Sequence, residues 1–228
     1  MILYHGSEKI IENPVFGKGN LRNDYGRGFY CTENEELAKE WACSNNKNGF
    51  ANKYELKLEG LNILYLNSSE YHVLHWLTIL TKNRTYWERN TISETAKTYL
   101  SKHFMIDTSK YDVIIGYRAD DSYFSFARSF VNNEISLQQL GSAMHLGKLG
   151  EQIVLKSREA FRRIHFKSYE IANHTIYYIQ RSQRDLGARS SWQAILESDD
   201  LDGLYMRDLM RTAPSEEELL MIAGTVDL

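Results

Sequence analysis

Three residues far apart in the sequence have side chains suited to chemistry on a polar substrate. His5 precedes Gly6 where the first apolar run ends, Tyr30 follows the segment YGRGF, and Glu151 opens a later apolar run. A histidine can hydrogen-bond a hydroxyl, a tyrosine ring can stack on a planar group, and a carboxylate can stabilise positive charge. Taken singly, each residue also fits an ordinary structural role. Their order and their neighbours distinguish them.

Several other kinds of site are excluded by spacing. His72 and His75 stand three residues apart, but no cysteine pair or carboxylate completes a ligand set and HEXXH is absent, so we expect no metal site. The segments GKGN and GRG lack the spacing of a P-loop, and GRG precedes a predicted strand, the reverse of the dinucleotide fingerprint. Cys31 and Cys43 have no nucleophile signature around them.

Composition predicts a single globular domain. The chain has 228 residues, 43% of them hydrophobic, and a net charge of −3. We expect one domain over residues 1–210 and a short acidic tail or helix over residues 211–228. Neither a signal peptide nor an apolar run of about 18 residues is found, which predicts a cytoplasmic protein with reduced cysteines and no membrane partner.

Apolar runs and helical periodicity predict the order of elements. Strands are expected near residues 1–5, 28–32, 53–60, 62–66, 111–117, 150–157 and 164–171. Helices are expected after residue 34, within 69–104, at 122–130 and 136–145, and through most of 176–208. Strands early and late around a helical middle indicate an α+β fold with an antiparallel or mixed sheet.

Three segments in this order resemble the ADP-ribosyltransferase superfamily. YHGS (4–7), YGRGFYCTENEELAKEWA (25–42) and GEQIVLKS (150–157) resemble its His-Tyr-Glu branch, which includes diphtheria toxin and the poly(ADP-ribose) polymerases. IIGYRADDSYFSFA (114–127) and LGKLGEQIVLKSREAF (146–161) resemble a bacterial family found beside small partner proteins in toxin–antitoxin-like settings. The resemblance implies an ADP-ribosyltransferase-like core, a split antiparallel or mixed β-sheet with helical insertions.

The resemblance also implies roles around a bound NAD. His5 would hydrogen-bond the adenosine-side ribose, backbone groups of Gly6 would hold the nicotinamide amide, and Tyr30 would stack on the nicotinamide ring. Glu151 would hold the nicotinamide ribose 2′-hydroxyl and stabilise the developing positive charge. Gln152 is the alternative, because a slip of one residue along a strand exchanges its faces.

Four further residues are candidates for binding NAD. Gly28 would let the main chain turn closely around the dinucleotide. Trp41 is either a second ring stacked on nicotinamide or a core tryptophan. Arg22 and Arg27 are candidates for the pyrophosphate, against the alternative that both are solvated loop arginines.

The polar and aromatic cluster RADDSYF is a candidate substrate site. Arg118 opens it, Asp120 or Asp121 would suit a helix N-cap, and Tyr123 and Phe124 could stack on a base or hold a side chain. Helix capping and acceptor binding both remain open for this cluster.

The resemblance implies a NAD-dependent mono-ADP-ribosyltransferase, a bacterial toxin or phage-defence effector that transfers ADP-ribose to a macromolecular acceptor and releases nicotinamide. NAD is the co-substrate and no metal is implied. The acceptor is protein or nucleic acid, and the toxin setting implies a neutralising antitoxin protein. Two alternatives remain, a NAD glycohydrolase and a catalytically silent binding module on the same fold.

Overall fold

The computed structural model of the chain describes residues 1–84, 91–119, 121–146, 150–198 and 200–224. The side chains of residues 121–123 and 223–224 lie outside this description. The strands are β1 (Ile2–Ser7), β2 (Phe29–Cys31), β3 (Gly49–Leu56), β4 (Ile63–Tyr65), β5 (Val113–Tyr117), β6 (Glu151–Leu155) and β7 (Ile164–Ala172).

The helices lie mostly between β4 and β6 and after β7. They are α1 (Glu35–Ala42), α2 (Val73–Asn83), α3 (Thr91–His103), α4 (Asp121–Val131), α5 (Leu137–Met144), α6 (Arg158–Arg163), α7 (His174–Glu197), α8 (Met206–Thr212) and α9 (Glu216–Gly224). Thr108–Lys110 form a single 3-10 turn before β5. Within the described ranges, no helix combines the length and the apolarity that crossing a membrane requires.

The strands form two sheets. One is antiparallel, in the order β1-β3-β7, and the other is mixed, in the order β2-β6-β5-β4 with β4 and β5 parallel. The predicted α+β class with antiparallel and mixed pairing is confirmed at this level. The two sheets meet where Tyr4 and Thr32 exchange backbone hydrogen bonds of 2.7 and 3.0 Å. Strands β1, β2 and β6 are therefore neighbours, although residues 5 and 151 are distant in sequence.

Two apolar cores hold the sheets in place. Leu3, Tyr54 and Leu56 of the first sheet pack against Ile115 and Ile153 of the second, and all five are buried. The opposite face of the second sheet packs on the helices, with the fully buried residues Phe126, Phe130, Leu74, Leu77, Leu209 and Leu219. Both faces of the second sheet are covered along Val113–Ile115 of β5 and Ile153–Leu155 of β6, and these residues are accordingly all apolar and buried.

Helix α1 packs directly on β1 at Gly6. Asn34 caps the helix by accepting a hydrogen bond from the Leu37 amide. A Cβ atom at Gly6 would collide with the carbonyl oxygen of Ala38 and lie 3.0 Å from Cβ of Trp41. Glycine at this position thus sets how closely α1, and with it Trp41, approaches the sheet.

Alanine at position 6 is expected to destabilise the protein. Because the added methyl group meets backbone that cannot rotate away, Gly6→Ala should lower the free energy of unfolding by about 2 kcal/mol. Urea unfolding followed by circular dichroism measures this change. Gly187→Ala is the matched control, since a Cβ at Gly187 meets nothing within 4 Å and alanine favours a helix, so its stability should rise slightly. Equal effects at both positions would contradict the packing account.

Two buried histidines at the start of α2 are held neutral. His72 is 2% and His75 6% exposed, and their ring centroids are 4.3 Å apart. Burial lowers the pKa of His72 to about 3, helped by the neighbouring His75, and burial also lowers the pKa of His75, which faces Glu216. In the unfolded chain, a histidine titrates near 6.5.

The folded protein should therefore lose stability in acid. Between about pH 6 and pH 4 the unfolded state binds protons that buried His72 does not, so the free energy of unfolding falls as the pH falls. His72 alone contributes about 1.4 kcal/mol per pH unit in this window. Melting temperatures measured across the window should fall less steeply for His72→Leu than for the unsubstituted protein. Equal slopes for the two proteins would contradict the lowered pKa of His72 in the folded state.

Candidate active site

A cleft opens where β1, β2 and β6 come together. Its volume is about 280 Å³. The lining residues come from all three strands, from the loop before β2, and from α1, α7 and the segments after α2 and β5: His5, Gly6, Asn23, Asp24, Tyr30, Trp41, Arg84, Arg118, Ala119, Gln152 and Arg181. Such a concave, polar site between two sheets is a candidate for binding a small molecule.

His5 is fixed in one tautomer at the edge of the cleft. Its Nδ1 lies 2.7 Å from the carbonyl oxygen of Tyr30. Since a carbonyl only accepts, Nδ1 carries the hydrogen and Nε2 is left as an acceptor. Burial lowers the pKa of His5, partly opposed by this hydrogen bond, so the ring is neutral at pH 7. His5 is therefore arranged to accept a hydrogen bond from a ligand hydroxyl.

Tyr30 is anchored through its hydroxyl group. The hydroxyl donates to the carbonyl oxygen of Gly26 at 2.5 Å and accepts from the amide of Tyr25 at 3.1 Å. The half-buried ring lines the cleft. Fixing the far end of the ring leaves its face as the part available to a ligand.

The glycines of YGRGFY shape the loop that anchors Tyr30. Gly26 has a φ of 72°, which a residue with a Cβ seldom adopts, and it closes a turn with Asn23. A Cβ at Gly28 would lie 2.5 Å from Cγ1 of Val154 on β6. Both glycines therefore have a structural role in this loop, and for Gly28 it comes in addition to the close approach to a dinucleotide expected from the sequence.

Lys156 also fixes the loop that contains Gly26 and Gly28. Its Nζ donates to the carbonyl oxygens of Tyr25 at 2.5 Å and Arg27 at 2.7 Å. Burial lowers the pKa of Lys156 to about 8. This amine ties the loop to the residue that follows β6.

The side chains of Glu151 and Gln152 point to different sides of the second sheet. Gln152 is 7% exposed and lines the cleft, and its Oε1 has no hydrogen-bond partner among the described residues. Glu151 is exposed and its Oε1 accepts from the Asn67 amide at 3.0 Å, away from the cleft. The structure thus brings Gln152, and not the preferred Glu151, to His5 and Tyr30. The physical reason is strand alternation, which puts Gln152 on the same face as Val154, the residue opposite Tyr30.

A buried ion pair forms the floor of the cleft. Asp24 is 5% exposed, and its Oδ1 lies 2.8 Å from Arg84 Nη2. Its Oδ2 accepts from the Ala119 amide at 2.9 Å, while Arg84 also donates to the Ala119 carbonyl at 2.7 Å. Burial raises the pKa of Asp24, and Arg84 and the Ala119 amide oppose the rise. The pair links the loop before β2 to the end of α2 and the segment after β5.

Arg118 and Trp41 form the opposite wall of the cleft. The guanidinium carbon of Arg118 lies 3.8 Å from the Trp41 ring centroid, a cation–π contact. Arg118 therefore covers one face of the indole, the ring that the sequence offered as a second nicotinamide stack. A second cavity of about 330 Å³ continues past both residues along α7.

The second cavity is rich in arginine. Arg181 lines both cavities, as do Arg118 and Trp41. Arg184 pairs with the buried Glu40 at 2.6 Å, which offsets its charge. Together the two cavities form a groove in which arginines outnumber carboxylates, suited to an elongated anion.

Other predicted site residues lie elsewhere. Arg22 and Arg27 are exposed and do not line the cleft. Phe124 is 9% exposed and packs in the helical core, with Arg84 5.3 Å from its ring centroid, so its ring is not free to stack on a substrate. Asp120 and the side chains of Asp121 and Tyr123 lie outside the described residues.

The family model described as "Protein of unknown function (DUF3990)" matches residues 1–166. The chain belongs to this family. No curated protein and no solved structure matches the chain. The matched region contains His5, Tyr30, Arg118 and Gln152, whereas Arg181 on α7 lies outside it.

Several residues of the cleft carried no sequence signal. Asp24 and Arg84 stand 60 residues apart and meet only through the fold. Arg181 belongs to none of the sequence motifs, and its place at the groove depends on how α7 packs against α1. In the described part of the chain, no three His, Cys, Asp or Glu side chains are grouped as a metal site would require.

Proposed function

We propose that the protein is a NAD-dependent mono-ADP-ribosyltransferase that binds NAD in the cleft between β1, β2 and β6. One observation carries the proposal. The amide oxygen of Gln152 is buried in the cleft beside His5 and Tyr30 without a hydrogen-bond donor among the described residues. Leaving such an acceptor unpaired costs about 1–3 kcal/mol, which favours a ligand that donates to it. The 2′-hydroxyl of the nicotinamide ribose is such a donor.

The surrounding groups suit the rest of NAD. Nicotinamide would stack on the Tyr30 ring, and His5 Nε2 would accept from the adenosine-side ribose. The groove beyond Trp41 would take the pyrophosphate, with Arg118 and Arg181 as its cationic partners in place of Arg22 and Arg27. Gly6 stays a candidate for the nicotinamide amide, since it lines the same cleft.

The proposed reaction exchanges one bond at the ribose. The bond between C1′ and the nicotinamide nitrogen breaks, and its electron pair leaves with neutral nicotinamide. Positive charge develops on the ribose, and the acceptor nucleophile bonds to C1′ and loses its proton to solvent. Gln152 would hold the ribose in position by its 2′-hydroxyl, while the partial negative charge of its oxygen faces the developing cation.

The proposal extends to the acceptor and to partners through the resemblance alone. It includes a protein or nucleic-acid acceptor, a toxin or defence role in the cytoplasm, and a neutralising antitoxin protein. Residues 1–210 would form the transferase domain.

A second candidate is a NAD-binding module without turnover. The observation that favours it is the position of Glu151. Of the segment GEQIVLKS (150–157), the cleft is lined by the uncharged Gln152, while Glu151 bonds to Asn67 away from it. A carboxylate would stabilise an oxocarbenium-like state more strongly than an amide. Nicotinamide release separates the two candidates, since a module would bind NAD and release none.

The first test is NAD binding measured by isothermal titration calorimetry. Tyr30→Ala should weaken binding at least about 5-fold, because an aromatic stack contributes about 1 kcal/mol beyond its buried area. Tyr65→Ala is the matched control, since Tyr65 on β4 is 46% exposed and lies outside the cleft. Absence of NAD binding to the unsubstituted protein, or equal weakening in both variants, would contradict the proposal.

A further inference from the structure

A separate cavity of about 250 Å³ lies behind the wall that closes the cleft. The wall consists of the ends of β5 and β6, whose consecutive residues face opposite ways. Tyr117 lines this cavity and Arg118 lines the cleft. In the same way, Glu151 bonds to Asn67 at the cavity rim, whereas Gln152 lines the cleft.

His72 marks this cavity as a binding site. Its side chain lines the cavity and is 2% exposed, and neither ring nitrogen has a hydrogen-bond partner in the described ranges. The neighbouring rings of His75 and Phe104 contact it through their faces and edges, with centroids at 4.3 and 5.1 Å. A neutral imidazole has one donor and one acceptor nitrogen, and the two point in different directions, so the edge of one ligand ring would meet one of them with a matching acceptor or donor.

The rest of the lining restricts the ligand further. None of the described lining residues is lysine, arginine, aspartate or glutamate, so a charged group would be poorly compensated. Tyr71 and Tyr117 offer aromatic surfaces, and the amides of Asn67 and Gln138 offer further donors and acceptors. The cavity has about 250 Å³ and shares no lining residue with the cleft or with the cavity along α7, so its size suits a single ring system and not a dinucleotide.

We infer that this cavity binds a neutral heteroaromatic ring of the nucleobase class, with His72 hydrogen-bonded to its edge. The base could belong to a free nucleoside or to an unpaired nucleotide of a single strand, since both present the same edge and face. The inference goes beyond the proposed function and does not depend on NAD binding in the cleft.

The test is nitrogen-15 NMR of the full chain, which follows the ring nitrogens of His72. Adenosine, guanosine, cytidine and uridine are titrated in turn, and short single-stranded homopolymers of the same bases form a second arm. A saturable shift of the His72 ring resonances with any nucleoside supports the inference and identifies free nucleosides as ligands. A shift with homopolymers alone supports it and identifies single strands as the source. No shift in either arm overturns it.

Two variants separate binding from folding. Gly141→Leu places a side chain where Gly141 lines the cavity, and because leucine favours helix α5 the fold should hold while nucleoside binding falls at least about 10-fold. His72→Phe should remove binding by deleting both ring nitrogens. His103→Phe is the matched control, since His103 is exposed outside the cavity and its replacement should leave binding unchanged. Full binding by folded Gly141→Leu and His72→Phe would overturn the inference.

Discussion

Replacing Gln152 with alanine is expected to lower nicotinamide release from NAD by about 100-fold or more, with little change in stability. The amide of Gln152 is the one buried polar group in the cleft whose oxygen has no partner among the described residues. If this amide holds the ribose 2′-hydroxyl as the glycosidic bond breaks, its removal takes one hydrogen bond from the transition state. Such a loss raises the activation free energy by about 2.7–4 kcal/mol. The measurement is kcat for nicotinamide release, with urea unfolding of the same variant.

Glu151→Gln is the matched control for this prediction. The substitution changes charge without changing shape, one residue away on the same strand. Because Glu151 faces Asn67 and not the cleft, we expect nicotinamide release within about 3-fold of the unsubstituted rate, against the 100-fold loss for Gln152→Ala. A large loss in Glu151→Gln with full activity in Gln152→Ala would reverse the assignment and return the role to the carboxylate. Full activity in both variants would show that neither Glu151 nor Gln152 takes part in catalysis.

Asp24→Asn is expected to lower the free energy of unfolding by about 3 kcal/mol, which corresponds to a fall in melting temperature of about 10 °C. Asp24 is buried, pairs with Arg84 and accepts from the Ala119 amide. Burial raises its pKa, so the pair offers little net stability over an apolar pair, but removing one partner leaves the Arg84 charge without compensation. Differential scanning calorimetry gives the melting temperatures.

Two comparisons test that reasoning. Glu55→Gln removes an exposed ion pair with Lys167 and should cost much less than Asp24→Asn, because solvent screens the charges of such a pair. The double variant Asp24→Leu with Arg84→Met should be less destabilised than Asp24→Asn alone, because no buried charge remains. A double variant that loses as much as the sum of the two single variants would show that the charges act independently.

The element types were predictable from local pattern, but not their neighbours. Continuous apolar runs predicted β5 and β6, and alternation predicted β3 and β7. Helical periodicity across residues 136–145 predicted α5, which the structure bounds at Leu137–Met144 with a Ser136 capping box. The pairing of β2 with β6 joins segments more than 100 residues apart, which no local pattern encodes.

The site was predictable where it depends on the order of the motifs, but not where it depends on strand register or on helix packing. The order of the motifs led to His5 and Tyr30, whose strands are neighbours in the structure. The choice between Glu151 and Gln152 depended on the register of β6 against β2, and a shift of one residue exchanges the two faces. Phe124 stands among polar residues in the sequence, which suggested a substrate contact, but the packing of α4 buries its side chain in the core.

Transfer of ADP-ribose from NAD is tested most directly with NAD labelled on its adenylate. Purified protein is incubated with it in the presence of cell lysate, and separately with total RNA, while nicotinamide release and label fixed to macromolecules are followed. We expect nicotinamide release with label fixed to protein or nucleic acid, and loss of both in Gln152→Ala. Release without fixed label would make the protein a glycohydrolase. If the protein bound no NAD and released no nicotinamide in any condition, a NAD site in the cleft would be contradicted.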